Sequence, residues 1–441
     1  MGEKEARIAR LAEGVSGVNT LSVTRTIPII VLPGVMGTRL TDPGTGNLVW
    51  NPTGNPLPRF AARGQAGFAA KTKRLADVTS PLVPDETHPC TSSNSARDHE
   101  TELLASNIEN FLHLIPDFYA DITLQLDDSL RARLNPRKAR PKVICCGYDW
   151  RVANEISAAR LSAVVDKARD ESGGEKVFLV AHSMGGLVSR FYCKNLGGES
   201  KVAAIFLLAS PSLGAPSSYG ALRTGIGVLD PLRTVLGFFT RNGSRDFTRQ
   251  LLSVYQLLPN RTYCNDVDRN WIRFDPNFTG ILPVGFDPIQ VNPFSDCSNE
   301  TFLYNDLYVG LMDEPDLRAL SFANVTAALA FQQSLLDGTR AAYMHPNTFA
   351  VFGDGLKTIL SYDARNPTVL TSTSAIIEIS SSTEEATQSA GDKTVPTESA
   401  FPKKTTNPFA KTLQLSGPDH QHVPADATAI EFVVNNIDAL I

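Results

Sequence analysis

No stretch of this chain approaches the roughly 20 consecutive apolar residues that cross a bilayer. Its charged opening, MGEKEARIARLAEGVSGVNTL, lacks the apolar run of about 7–15 residues that marks a secretion signal. The expectation is a cytoplasmic protein, or one exported without a cleaved signal peptide, with no transmembrane helix. Basic surplus is also missing. A formal net charge of −5 leaves no indicated face for phosphates, which excludes nucleic acid as the main partner. Cysteine is sparse: six in 441 residues, two of them the adjacent Cys145 and Cys146. That pattern has neither a disulfide framework nor CxxC metal spacing, although individual pairs remain open. There is no internal repeat.

What is present is the material of an ordinary globular core, at 42% hydrophobic and 20% charged residues. The run Ile27-Pro28-Ile29-Ile30-Val31-Leu32 is continuously apolar, β-branched in part, and stops at Pro33-Gly34, as a buried strand does. Comparable runs fall at Lys142–Cys146, Lys176–Val180, Val202–Leu208, Thr348–Phe352 and Lys411–Leu415. Short strands that are apolar on both sides predict a parallel sheet with both faces covered. Between them, residues 118–133, 152–172 and 184–196 space apolar groups at three and four, predicting helices; another short helix is predicted near 3–14. The alternation is that of a doubly wound α/β domain running over residues 1–441. Residues 41–110 and 215–340 break the rhythm and are expected to form cap or lid insertions, since long excursions from a compact domain are usually functional. The Ser-, Thr- and Glu-rich segment Thr371–Gln388 is expected to be a loop.

The sharpest chemical signal is Val177-Phe178-Leu179-Val180-Ala181-His182-Ser183-Met184-Gly185-Gly186-Leu187. Here an apolar strand runs straight into a helix with a serine at the turn. Such a turn is strained and needs small residues on both sides, here Ala181 and Gly185, so that strand and helix can approach while the hydroxyl projects. Ser183 is therefore the candidate nucleophile. A serine hydroxyl needs a base to take its proton, and the oxyanion formed on attack needs preorganised donors. Of the seven histidines, only His420 and His422 follow the last apolar strand, where the chain order Ser, acid, His would place the base. His182, beside Ser183, is expected to point away from it, and His88, His99, His113 and His345 read as surface or satisfied core residues. For the acid, Asp354 directly follows a strand and Asp392 sits in a later polar turn; spacing alone leaves both. Donors for the oxyanion are expected from the backbone N–H of Met184 and from the turn Leu32-Pro33-Gly34-Val35-Met36-Gly37, through Val35. This chemistry calls for no metal and no organic cofactor.

Several of these segments, in order, resemble motifs of the lecithin:cholesterol acyltransferase-like family of α/β hydrolases. They are Pro33-Gly34-Val35-Met36-Gly37-Thr38-Arg39-Leu40, Gly147-Tyr148-Asp149-Trp150-Arg151, Ala181-His182-Ser183-Met184-Gly185-Gly186, Leu257-Leu258-Pro259 and Gly391-Asp392-Lys393-Thr394-Val395-Pro396. The resemblance implies an α/β-hydrolase fold, selects Asp392 over Asp354, and selects His420 over His422 by its distance from the expected helix cap at Asp426. It implies acyl transfer through Ser183, with a lipid or phospholipid ester as substrate and water or an alcohol as acceptor, at a membrane surface. Lys393 departs from the family's usual Gly, and the two cap regions match poorly. Two other readings stand beside this one: a phospholipase effector delivered against other cells' membranes, and a catalytically silent lipid-binding protein. Tyr148-Asp149-Trp150-Arg151 reads as a structural lock in which Asp149 and Arg151 tie down loops, with Trp150 and Arg151 at the site mouth as the rival placement.

Overall fold

The computed structural model describes residues 25–50, 74–75, 77–85, 118–224, 247–260, 262–263, 272–274, 315–337, 341–364, 380–381, 391–402 and 409–441. All six predicted strands form: β1 (Arg25–Leu32), β2 (Ala139–Cys145), β3 (Val177–His182), β4 (Val202–Leu208), β5 (Thr348–Asp354) and β6 (Lys411–Ser416). They make one sheet in the order β6-β5-β4-β3-β1-β2, and every neighbouring pair is parallel. The longer helices among the described residues are α1 (Phe118–Leu134), α2 (Asn154–Asp170), α3 (Met184–Asn195), α4 (Pro315–Ser334) and α5 (Ala427–Leu440).

The two-residue alternation of a strand explains how this sheet is covered. Along β1, Ile27, Ile29 and Val31 face a core shared with α1 and α5, while Ile30 and Leu32 face a second core shared with α2, α3 and α4. The same split runs along β3, with Phe178 and Val180 on the first side and Leu179 and Ala181 on the second. Both sides of the central strands are therefore dry, which is why these runs read as continuous hydrophobe. One strand departs from that expectation. In β6 only Leu415 is buried, because it is an edge strand with a neighbour on one side only.

α5 begins where its cap residue predicts: the Asp426 carboxylate accepts from the N–H groups of Thr428 and Ala429. Its buried stripe is Ala429, Ile430, Val433, Val434 and Ile437, and Ala427 is exposed. The described parts of 41–110 include short antiparallel strands at Leu40–Thr41, Leu48–Trp50 and Val83–Pro84. Within 215–340, Phe247, Leu251, Val254, Tyr255, Leu258, Val325, Phe331 and Leu335 are packed into the same core as α2 and α3. That part of the expected cap is built into the body of the molecule. The predicted helix near 3–14, His88, His99, His113 and most of Thr371–Gln388 lie outside the described residues. Cys145 is disulfide-bonded, whereas Cys146 and Cys193 are buried and outside any disulfide. Among the described residues no helix is long and apolar enough to cross a membrane.

Candidate active site

Because every strand of the sheet points the same way, their carboxyl ends share one edge, where open α/β sheets place their chemistry. β1 delivers the turn at Pro33–Gly37, β2 the Tyr148 motif, β3 Ser183, and the loop after β6 His420. Ser183 has φ 52° and ψ −124°, a left-handed conformation that costs a non-glycine residue on the order of 1–3 kcal/mol. That turn works only if its neighbours stay small. A Cβ added to Gly185 would lie 2.7 Å from the Pro33 carbonyl oxygen, and one added to Gly34 would lie 2.9 Å from the Ser183 Cβ. The turn after β1 is thus seated directly against the serine.

His420 lies between the other two candidates. Its Nε2 is 2.8 Å from the Ser183 Oγ and its Nδ1 is 2.8 Å from the Asp392 Oδ2. The other Asp392 oxygen accepts from the N–H groups of Thr394 (3.0 Å) and Val395 (2.7 Å), and the His420 N–H donates to the Asp392 carbonyl at 2.9 Å. All three side chains are buried or nearly so. An acid that accepts only at Oδ2 from the ring leaves Nδ1 as the protonated nitrogen and Nε2 free to accept from the serine hydroxyl.

The alternates are placed elsewhere. His422 is exposed and hydrogen-bonds Asp419 at 2.5 Å, and Asp354 is engaged by the Gln414 side chain and the Gly355 N–H. Lys393 sits at φ 78°, the conformation that explains a glycine in the resembled motif; its N–H donates to the Thr358 hydroxyl and its ammonium lies 3.5 Å from Asp419. Met184 is the first residue of α3, so its N–H has no intrahelical acceptor. Val35 follows Gly34 in the turn, and Met36 there has φ 64°.

Three side chains brace that turn; Tyr148 belongs to a motif the sequence singled out, whereas Trp50 and Tyr119 carried no such signal. The Tyr148 hydroxyl donates to the Pro33 carbonyl (2.7 Å), the Trp50 indole donates to the Met36 carbonyl (2.8 Å), and the Tyr119 hydroxyl accepts from the Gly34 N–H (2.8 Å). Tyr119 stands in the first turn of α1, 63 residues from His182, whose Nδ1 is 2.6 Å from the same hydroxyl. His182 does point away from Ser183, yet its Nε2 reaches the His420 carbonyl at 2.9 Å. Burial pushes this imidazole well below the ordinary histidine range, and the neighbouring His420 pushes in the same direction. Asp149 and Arg151 form a buried pair (2.7 Å), and Arg151 also donates to the carbonyls of Leu75, Asp77 and Ser80, while Asp149 accepts from the Leu82 N–H. With Trp150 and Arg151 both fully buried, this motif ties Leu75 and residues 77–82 to the sheet and does not line the mouth.

Residues 138–273 match the family model for Lecithin:cholesterol acyltransferase, a stretch that contains the Tyr148 motif and Ser183. Over that stretch the chain is similar to the LCAT family. Phospholipase A(1) LCAT3 of Arabidopsis thaliana is 26% identical over 265 residues, 58% of this chain and 57% of that protein. An uncharacterised protein of Saccharomyces cerevisiae, YJR098C, is 33% identical over 84 residues, 19% of this chain and 12% of its own length. The chain therefore spans just over half of the first relative and a small part of the second. A solved chain from the Tle4-Tli4 complex superposes with a TM-score of 0.62 at 18% identity, covering 94% of this chain and 98% of that one. At that identity the likeness concerns architecture, and the architecture is the α/β-hydrolase fold.

Proposed function

We propose that the chain is a serine enzyme of lipid esters, a lipase or phospholipase type hydrolase or an O-acyltransferase, with Ser183 as nucleophile, His420 as base and Asp392 as the acid that orients it. The observation that carries this is the continuous hydrogen-bonded series Asp392–His420–Ser183 ending on a strained serine at the head of a helix. In the first half-reaction His420 takes the Ser183 proton as Oγ attacks the ester carbonyl carbon. The N–H groups of Val35 and Met184 hold the oxyanion, and His420 returns the proton to the departing alcohol. The acyl-enzyme is then attacked by water, giving a free acid, or by an alcohol, giving a new ester, with His420 again as base. Asp392 stabilises the imidazolium in both halves.

A lipid substrate is supported by the phospholipase relative, and the insertions at 41–110 and 215–340 are assigned the choice of acyl chain and acceptor. Of the two compartments open to the chain, the disulfide at Cys145 favours the oxidising one. The test is incubation with defined phospholipids and neutral lipids, with and without an alcohol acceptor, and mass analysis of the products. Free fatty acid alone identifies a hydrolase, and ester formed on the added alcohol identifies a transferase. An absence of both, with Ser183 unlabelled by a fluorophosphonate, would overturn the reading.

A further inference from the structure

Ser183, His420 and the turn at Gly34 come from three distant parts of the chain, and one buried pair of side chains touches the backbone of two of them. The His420 carbonyl can only accept, so the His182 Nε2 carries the proton that reaches it. The neutral ring then presents Nδ1 as a lone pair, and the Tyr119 hydroxyl at 2.6 Å donates to it. The same hydroxyl oxygen accepts from the Gly34 N–H at 2.8 Å. The result is a single directed series: Gly34 N–H to Tyr119 O–H to His182 Nδ1, and His182 Nε2–H to the carbonyl of His420. Both ends are fixed by packing as well. A Cβ on Gly37 would meet the Tyr119 ring at 2.6 Å, one on Gly34 would meet the His182 Nδ1 at 3.2 Å, and the His182 and His420 rings lie 4.9 Å apart.

We propose that Tyr119 and His182 are positioning residues, which hold the turn that carries Val35 and the backbone of His420 in register across Ser183. The inference rests on the triad reading. Neither residue touches the reacting atoms; each acts through what it holds. Displacing a reacting group by about 1 Å costs on the order of 100-fold in rate, so loss of this brace reaches turnover more than substrate affinity.

The variants Tyr119→Phe, His182→Gln and His182→Leu test it, with p-nitrophenyl butyrate turnover, the rate of fluorophosphonate labelling, and a thermal melt on each. Tyr119→Phe keeps the ring and removes only the hydroxyl; kcat and labelling rate should fall about 10- to 100-fold with KM within about twofold. In His182→Gln the side-chain amide N–H can still reach the His420 carbonyl, and in His182→Leu nothing can. His182→Gln should therefore exceed His182→Leu by about tenfold in kcat, at assay temperatures well below either melt. A residue that only fills space would lower the melting temperature and leave kcat and the Gln–Leu difference unmoved. Native kcat in Tyr119→Phe overturns the proposal, and so does equality of the two His182 variants; should His182→Leu fail to fold, Tyr119→Phe alone decides. Ser183→Ala separates the two levels. If it turns over the ester, the triad reading has failed; if it is silent while Tyr119→Phe keeps native kcat, the positioning proposal alone has failed.

Discussion

Ser183→Ala should reduce ester turnover about 10⁴-fold while the melt stays cooperative, as when one member of a serine triad is lost. At the acid, Asp392→Asn should lose most activity, because the amide can donate to Nδ1 and favours the wrong imidazole tautomer. Asp354→Asn should stay close to native, since Asp354 is held by Gln414 and Gly355 outside the site. At the base, His420→Ala should be silent and His422→Ala should keep at least about a tenth of the rate. Steady-state kinetics on one soluble ester checks all five, and the reverse ranking within the aspartate or the histidine pair exchanges the assignment. His420 and His422 stand in one loop two positions apart, and apart from the resembled motif's distance to the Asp426 cap nothing local says which faces inward. The answer is in contacts with His182 and Ser183 at the end of β3 and with the Asp392 turn, all remote in sequence. Tyr119 is the extreme case: a tyrosine on an amphipathic helix has no local feature that distinguishes a brace from a core ring.

At the scale of elements, the strand-turn-helix around Ser183 depends on an absence of side-chain bulk. Gly185→Ala should cost about 1–3 kcal/mol, because the added methyl meets backbone oxygens of Pro33 and Leu32 that cannot move alone. A chemical denaturation midpoint reads this, and an unchanged midpoint would show that α3 is free to shift away from β1. The lock at Asp149 and Arg151 makes a second element-level case. Arg151→Met should cost about 3–5 kcal/mol, since it leaves a buried carboxylate unpaired. It also releases the carbonyls of Leu75, Asp77 and Ser80. Limited proteolysis should then cut within 75–82 before the rest of the chain. The strands themselves were legible because burial on both faces writes an unbroken apolar run. The edge position of β6 was not, because Thr412, Gln414 and Ser416 differ from a central strand only in a polar alternation that six residues carry weakly.

For the whole molecule, acid should be destabilising well before the carboxylates titrate. The folded state rejects a proton at His182, and at His345, which burial also holds below the ordinary range. The unfolded chain accepts protons there near the usual value of about 6.5. Below that pH the unfolded state binds more protons, so stability falls as pH falls, by up to about 1.4 kcal/mol per pH unit for each histidine; above it there is no such loss. Denaturation free energies between about pH 7 and pH 5 should show this slope, and His182→Gln should make it shallower. A slope of the opposite sign would show that these imidazoles gain a proton on folding. Removing residues 225–335 as if they were a detachable cap should abolish cooperative unfolding, because Phe247, Tyr255, Leu258, Phe331 and Leu335 would leave the core. A deletion that still melts cooperatively would show that the body folds without them.

The sequence by itself determined the parallel sheet, the covering helices, the serine at the turn and a short set of partners for it. Each of these is a local pattern, written in spacing, turn residues and chain order. Only the tertiary structure decided which histidine and which aspartate meet the serine, that part of 215–340 belongs to the main core, and that Tyr119 and His182 join the turn after β1 to the backbone of His420. Those are contacts between segments tens to hundreds of residues apart. Their geometry follows from how both faces of the sheet are packed, and no single stretch of sequence carries that information.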